Sequence, residues 1–177
     1  MELISRFPEE LFAAKNYEDY LKRVACGAET ASRKNVVITG LCRNIIAVLE
    51  HTVARLRKTG DLFNDYRILI YENDSTDGTS QALRKHFTND TKTTLAQETT
   101  GMPMFGKTRE LDRPRYLAGL RNISFEGVRL LNKFFPTDYI IVVDLDLEGG
   151  WSYDGICHSF SYDDWSAMTA NGLEYHW

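Results

Sequence analysis

Few features that announce a class of protein are present in this chain of 177 residues. Cysteine occurs only three times, at Cys26, Cys42 and Cys157, widely spaced and odd in number. That makes neither a disulfide framework nor a Cys-x-x-Cys metal pattern. Four prolines and 12 glycines are too few for a low-complexity linker or a collagen-like repeat. No apolar stretch approaches the ~20 residues of a membrane-spanning helix, and the opening Met1-Glu2-Leu3-Ile4-Ser5-Arg6 lacks the basic-then-apolar order of a secretory signal. Basic residues are not in excess: the formal charge is −4, which gives no general attraction for nucleic acids or other polyanions. A cytoplasmic, acidic protein is the expectation. Three Asn-x-Ser/Thr triplets, at Asn73, Asn89 and Asn122, point the same way, because an attached glycan would block the candidate site at two of them.

What is present is a globular pattern, with 43% hydrophobic and 26% charged residues. Residues 1–34 read as a helical leader, opened by Pro8, with Leu11, Phe12, Tyr17, Tyr20, Leu21 and Val24 at roughly helical spacing. From Asn35 onward, strand and helix patterns alternate, and residues 35–177 are expected to form the main domain. Val36–Thr39 is a short β-branched run closed by Gly40. Cys42, Ile45, Leu49, Val53 and Leu56 follow on one face of a helix that Gly60 ends. Arg67–Tyr71 is the second strand, and Asp74, Ser75 and Asp77 cap a helix that runs to about Phe87.

A polar stretch with a short strand at Thr94–Ala96 precedes the longest helix, which Pro114 opens and whose apolar face holds Leu117, Leu120, Ser124, Val128 and Leu131. Tyr139–Val143 is apolar at every position, as a central parallel strand covered on both sides must be. Trp165–Ala170 reads as a last strand. Strands alternating with helices imply right-handed crossovers and an α/β, Rossmann-like, doubly wound and mostly parallel sheet with helices on both faces.

In such sheets ligands bind beyond the carboxyl ends of the strands. Three polar segments emerge there: Thr39 to Asn44, Glu72 to Thr79, and Asp144-Leu145-Asp146. Two carboxylates spaced two apart on an extended segment face the same way, and they repel unless a proton or cation lies between them. A hard divalent cation that bridges carboxylates to phosphates answers that need; a solvated strand end is the plainer alternative. Glu72 ends an apolar strand, where its carboxylate could accept hydrogen bonds from a ribose or base edge. Arg121 sits at the border of its helix's buried face, where it either snorkels or aims a planar donor fork at a diphosphate. His51 falls on the exposed side of its helix, His86 and His176 have no partners at ligand spacing, and a structural role suits His158 better than one in the site. Trp151, Trp165 and Trp177 either stack on a sugar face or pack.

Together these residues resemble a known family. Ile70-Tyr71-Glu72-Asn73-Asp74-Ser75-Thr76-Asp77-Gly78-Thr79 is similar to the second-strand signature of GT-A nucleotide-sugar glycosyltransferases. Combined with Arg113-Pro114-Arg115-Tyr116-Leu117-Ala118-Gly119-Leu120-Arg121-Asn122, it resembles the fungal capsular α-mannosyltransferase-like branch, and Asp144-Leu145-Asp146 falls where the family's DxD motif belongs. The resemblance covers about Asn35 to Asn171. It implies a metal-dependent transfer of a sugar from a nucleoside-diphosphate donor to a glycan or other hydroxyl acceptor. Thr39, Arg43, Glu72, Asp74, Arg121 and Asp144 would bind the donor, and Asp144 and Asp146 would hold Mn²⁺ or Mg²⁺. It also implies that an acceptor-binding half is missing after Asp146 and names no catalytic base. The alternatives are a nucleotide-sugar-binding module without catalysis and a haloacid dehalogenase-type phosphatase, whose DxD belongs on the first strand rather than a late one.

Overall fold

A computed structural model of the chain describes residues 17–102 and 112–170. Its elements in order are α1 (Tyr17–Ala31), β1 (Asn35–Cys42), α2 (Leu49–Gly60), β2 (Asp65–Asn73), α3 (Thr79–Phe87), β3 (Thr93–Glu98), α4 (Asp112–Leu131), β4 (Tyr139–Val142) and α5 (Tyr153–Ser159). The expected leader residues Pro8, Leu11 and Phe12, and also His176 and Trp177, lie outside the described residues. No described helix is long and apolar enough to cross a membrane.

The four strands form one sheet in the order β3-β2-β1-β4, and every pair is parallel. β1 and β2 are buried almost throughout, which is why both read as continuous apolar runs rather than alternating ones. On one face, Val36, Ile38, Ile68 and Ile70 pack with Leu49, Val53 and Leu56 of α2 and with Leu83 and Phe87 of α3. On the other face, Val37 and Leu69 meet Val128 of α4 and Phe135. Helices therefore cover both faces, as the alternating pattern requires. Each fully buried aliphatic side chain in these layers contributes about 1.5–3 kcal/mol of burial free energy.

Three expectations change. Cys42 belongs to β1 and not to the following helix, which begins only at Leu49. Cys42 and Ile45 still face the core, and this let the helical spacing run on through a loop. β4 is an edge of the described sheet and not its centre. Its Tyr139, Ile141 and Val143 pack inward, but Ile140 and Val142 are 40% and 57% exposed, because α4 lies over β1 and β2. The Trp165–Ala170 stretch forms no strand: Trp165 packs on Tyr139 and Phe160 instead, with ring centroids 5.2 and 5.6 Å apart.

In its place the C-terminal region contributes α5, seven residues long and too short to show a helical period. Ser152 caps it by accepting the Gly155 N–H at 2.7 Å. α1 packs against α5. The contact depends on Gly27, where an added Cβ would lie 1.7 Å from the Cys157 carbonyl oxygen. His158 of α5 stacks on Tyr20 of α1 at 5.1 Å and meets Tyr162 edge-on at 5.5 Å. The structural role expected for His158 is the one observed.

Burial, and then the nearby Arg23 guanidinium, hold the His158 imidazole below its ordinary pKa of 6.5. A depressed histidine favours the fold while it is neutral. Its contribution is therefore complete above pH 6.5 and is lost as pH falls through that value toward the folded pKa. Urea midpoints measured at pH 7.5 and pH 5.5 should separate less in His158→Phe than in the wild type. An equal separation in both would assign the acid sensitivity to other groups.

Candidate functional site

The strand order reverses between β1 and β4: the chain runs outward from β1 to β2 to β3, then returns to β4 on the other side of β1. Ligand crevices in open parallel sheets form at such a reversal, beyond the carboxyl ends of the two strands. A cleft of about 340 Å³ lies there. Its floor comes from Leu41, Cys42 and Arg43 at the end of β1 and Asn73 at the end of β2. Asp144 and Asp146 after β4 line it as well, together with Arg113, Tyr116, Leu117, Leu120 and Arg121 of α4. Another hollow, between the end of α3 and Arg57, sits on a more open surface away from this edge.

The acidic segment reaches the cleft because of the residue between the two acids. Leu145 is 1% exposed and packs into the core, while its carbonyl accepts the Thr52 hydroxyl at 3.1 Å. Asp144 and Asp146 flank this anchor and are both exposed. They share the cleft as expected, but from a turn rather than from an extended strand. Val143 continues the β1 pairing through its N–H to the Thr39 carbonyl at 3.0 Å. Gly40 leaves room for the arrangement, since a Cβ there would lie 2.5 Å from the Val143 carbonyl oxygen and 2.7 Å from Leu145 Cγ.

The loops after β1 and β2 are laced together. The Asn44 N–H donates to Ser75 Oγ at 3.0 Å, Ile45 N–H to Thr79 Oγ1 at 2.9 Å, and Ile46 N–H to Asp77 Oδ2 at 3.0 Å. In return, Thr76 N–H donates to Asn44 Oδ1 at 2.7 Å. Ser75 and Asp77 thus hold the neighbouring loop, and Asp77 Oδ1 also accepts the Thr79 N–H at the start of α3.

Four of the residues singled out in the sequence line the cleft: Arg43, Arg121, Asp144 and Asp146. Three stand behind it. Thr39 is buried within β1, on the side that faces α4. Glu72 is 2% exposed and turned toward α3; Oε1 accepts the Ser75 N–H and Oε2 the Gln97 amide, each at 3.0 Å. A turn-capping role therefore accounts for Glu72, which sequence reasoning had set apart from capping. The Asp74 carboxylate binds the segment after β3 and is not part of the lining.

The lining residues not singled out as site residues are chiefly Asn73, Arg113, Tyr116 and Leu117. The signal for them is in the sequence. Arg113, Tyr116, Leu117, Leu120 and Arg121 recur at i, i+3, i+4, i+7 and i+8, one face of a helix. That face packs on the sheet at Val128, while its turns from Arg113 to Arg121 line the cleft.

Three arginines and two aspartates thus meet in one cleft. Arg121 Nη2 lies 3.6 Å from Asp144 Oδ1, with both side chains more than half exposed, so the pair is loose and water-screened. Arg43 donates from Nη1 to the Met102 carbonyl at 3.1 Å, while its buried Nε has no hydrogen-bond partner among the described residues. A buried unpaired donor costs about 1–3 kcal/mol, which an anionic oxygen in the cleft would offset. Cys42 is no nucleophile at neutral pH: burial, and then the charges of Glu72, Asp77 and Asp146, push its thiol pKa far up.

No group of three or more His, Cys, Asp or Glu side chains assembles as a metal cage among the described residues. Asp144 and Asp146 offer two exposed carboxylates in one cleft with arginines suited to phosphate. This donor set fits Mg²⁺ or Mn²⁺ shared with a phosphate ligand, because such ions take one or two carboxylates and complete their shell with water and phosphate oxygens. Set against models of known protein families, against curated proteins and against solved structures, the chain gives no match.

Gly40→Ala should cost about 1–3 kcal/mol through overpacking against Val143 and Leu145. Gly119→Ala on α4, where a new Cβ meets nothing within 4 Å, should stabilise by about 0.5–1 kcal/mol through helix propensity. Denaturant unfolding of the two variants checks the contrast. Equal effects would mean that the close approach at Gly40 is not what seats the acidic segment.

Proposed function

We propose that this chain binds a nucleoside-diphosphate sugar and belongs to a metal-dependent glycosyltransferase that passes the sugar to a hydroxyl acceptor. One observation carries the reading: carboxylates and guanidinium groups line one cleft at the strand-order reversal of a parallel sheet. A diphosphate ester is the ligand that uses both. Arg43, Arg113 and Arg121 would take its non-bridging oxygens with planar N–H forks. Asp144 and Asp146 would hold Mn²⁺ or Mg²⁺ in the same cleft. When bound, the metal would supply Lewis-acid neutralisation of charge on the departing nucleoside diphosphate.

The residues of the chain do the remaining work. Leu145 anchors the acidic turn, so the two carboxylates keep their spacing when the donor arrives. Leu41, Leu117 and Leu120 give the cleft an apolar side, which lowers the local dielectric and strengthens each charge-assisted contact. Asn73 donates to the Tyr116 hydroxyl at 3.1 Å and holds this ring in the cleft lining, where it would meet a base or ribose. The resemblance to GT-A enzymes adds the reaction class. A cytoplasmic setting belongs to the same proposal: Asn73, an acceptor triplet in the sequence, is 3% exposed in the cleft wall and is closed to glycan attachment in the folded protein.

A thermal-shift panel of GDP-, UDP- and dTDP-sugars, with and without Mn²⁺, tests the reading, because a ligand that binds only the native state raises its apparent stability. One donor should stabilise the protein more when Mn²⁺ is present; no response to any of them would remove the proposal. Asp146→Ala should abolish the Mn²⁺-dependent part of that shift and leave the unliganded melting point near that of the wild type. Undiminished metal dependence in this variant would take Asp146 out of the site. Arg121→Ala should weaken nucleoside diphosphate binding about tenfold, the value of one charge-assisted contact, and leave the nucleoside nearly unaffected. Equal losses for both ligands would return Arg121 to a surface role.

A further inference from the structure

Asp74 sits beside the cleft with φ 53°, in the left-handed region that Asp and Asn tolerate better than other side chains. Its Oδ1 accepts the backbone N–H groups of Thr100 at 2.9 Å and Gly101 at 3.0 Å. Its Oδ2 accepts the Asn73 amide at 2.9 Å and the Thr100 hydroxyl. A carboxylate offers about four lone-pair sites, so no acceptor capacity remains for a ligand. These donors, the Thr100 hydroxyl foremost, also hold the Asp74 carboxyl below the usual carboxylate range.

The consequence appears one residue further on. The segment that Asp74 grips continues to Met102, whose carbonyl accepts Arg43 Nη1 at 3.1 Å. Arg43 lines the cleft, and its Nε is buried without a partner among the described residues. A guanidinium free to rotate would spread its donors over many directions. One held at Nη1 keeps the remaining edge, with Nε, in a fixed orientation.

We propose that Asp74 is a positioning residue: by gripping Thr100 and Gly101 it fixes the Met102 carbonyl, and through that carbonyl it aims Arg43 at the phosphates of the ligand. The inference rests on the donor reading above. It replaces donor binding by Asp74 itself, the role implied by the family resemblance, with an action through Arg43. Asn73 and Tyr116 close the same network from the side of β2, since the Thr100 hydroxyl also lies 3.2 Å from the Tyr116 hydroxyl.

Two measurements on the full chain test it. The first needs no ligand: hydrogen exchange at Arg43 Nε, followed by ¹H–¹⁵N NMR. Asp74→Ala should speed this exchange about tenfold or more, in line with the loss of a charge-assisted grip. Asp74→Asn, which keeps the left-handed backbone and one acceptor oxygen, should restore most of the protection and stands in if the alanine variant does not fold. Unchanged exchange in both variants overturns the clasp.

The second is a double-mutant cycle on binding of inorganic pyrophosphate with Mn²⁺. Asp74→Ala should weaken binding in the wild-type background and have no further effect once Arg43→Ala is present, because the two residues act in series. Losses that simply add overturn the proposal and put Asp74 on the ligand itself. Wild-type protein that fails to bind pyrophosphate overturns the donor reading and Arg43's use of it, and the exchange measurement then decides the clasp alone.

Discussion

β1 is paired in register on both sides, with Thr39 opposite Leu69 of β2 and opposite Val142 of β4. Parallel strands run in one direction, so whatever follows each of them emerges on one edge of the sheet, although β4 stops opposite Thr39 while β1 runs on to Cys42. The rest of the site depends on this. The arginine after β1, the asparagine at the end of β2 and the acids after β4 are far apart in the chain, yet they share one crevice. The reversal of strand order at β1 supplies the opening, because the crossovers on its two sides run in opposite directions. The close approach at Gly40 and the buried Leu145 then set how deep the acidic turn sits.

The acidic side chains at this edge divide into two groups according to what they bind. Glu72, Asp74 and Asp77 accept backbone N–H groups from the loops around them. Burial raises the cost of a carboxylate's charge, and those bonds offset it. Asp74 and Asp77 are accordingly both held below the ordinary carboxylate range. Asp144 and Asp146 are exposed instead. Carboxylates that already hold backbone amides shape the loops, and the exposed ones are left for solution partners. This sorting explains why the proposed metal site falls after β4 and not after β2.

The alternation of elements and the parallel sheet were legible in the sequence because β1 and β2 are buried on both faces and carry no polar interruption. The place of β4 was not. Tyr139–Val143 is as apolar as a central strand, but nothing in a five-residue run records which neighbours it has, and α4 leaves one of its faces open. The gathering of Asp144, Asp146, Arg43 and Arg121 at one edge was legible from their places after strands or on a helix border, and all four line the cleft. Glu72 and Asp74 show the limit of that logic. Position after a strand brings a side chain to the right edge, and the strand's alternation then decides which face it takes. Glu72 turns toward α3, while Asn73, one residue on, looks into the cleft.

The same geometric fact explains why α4 carries a stripe with two jobs. Its apolar face is continuous from Leu117 to Val128 in sequence, yet the sheet beneath it ends partway along. Ser124 and Val128 lie on β1 and β2, where a helix must bury its stripe. Beyond the strand ends there is no sheet to cover, and the stripe changes from Leu120 to Arg121, Leu117, Tyr116 and Arg113. An arginine placed on the buried side of a helix would be costly against a sheet, because a buried unpaired charge loses its hydration. Over a cleft it keeps water until an anion replaces that water. Arg113 and Arg121 are therefore tolerated on this face because the strands stop short of them, and the polar end of the stripe marks on the helix where the sheet ends and the ligand space begins.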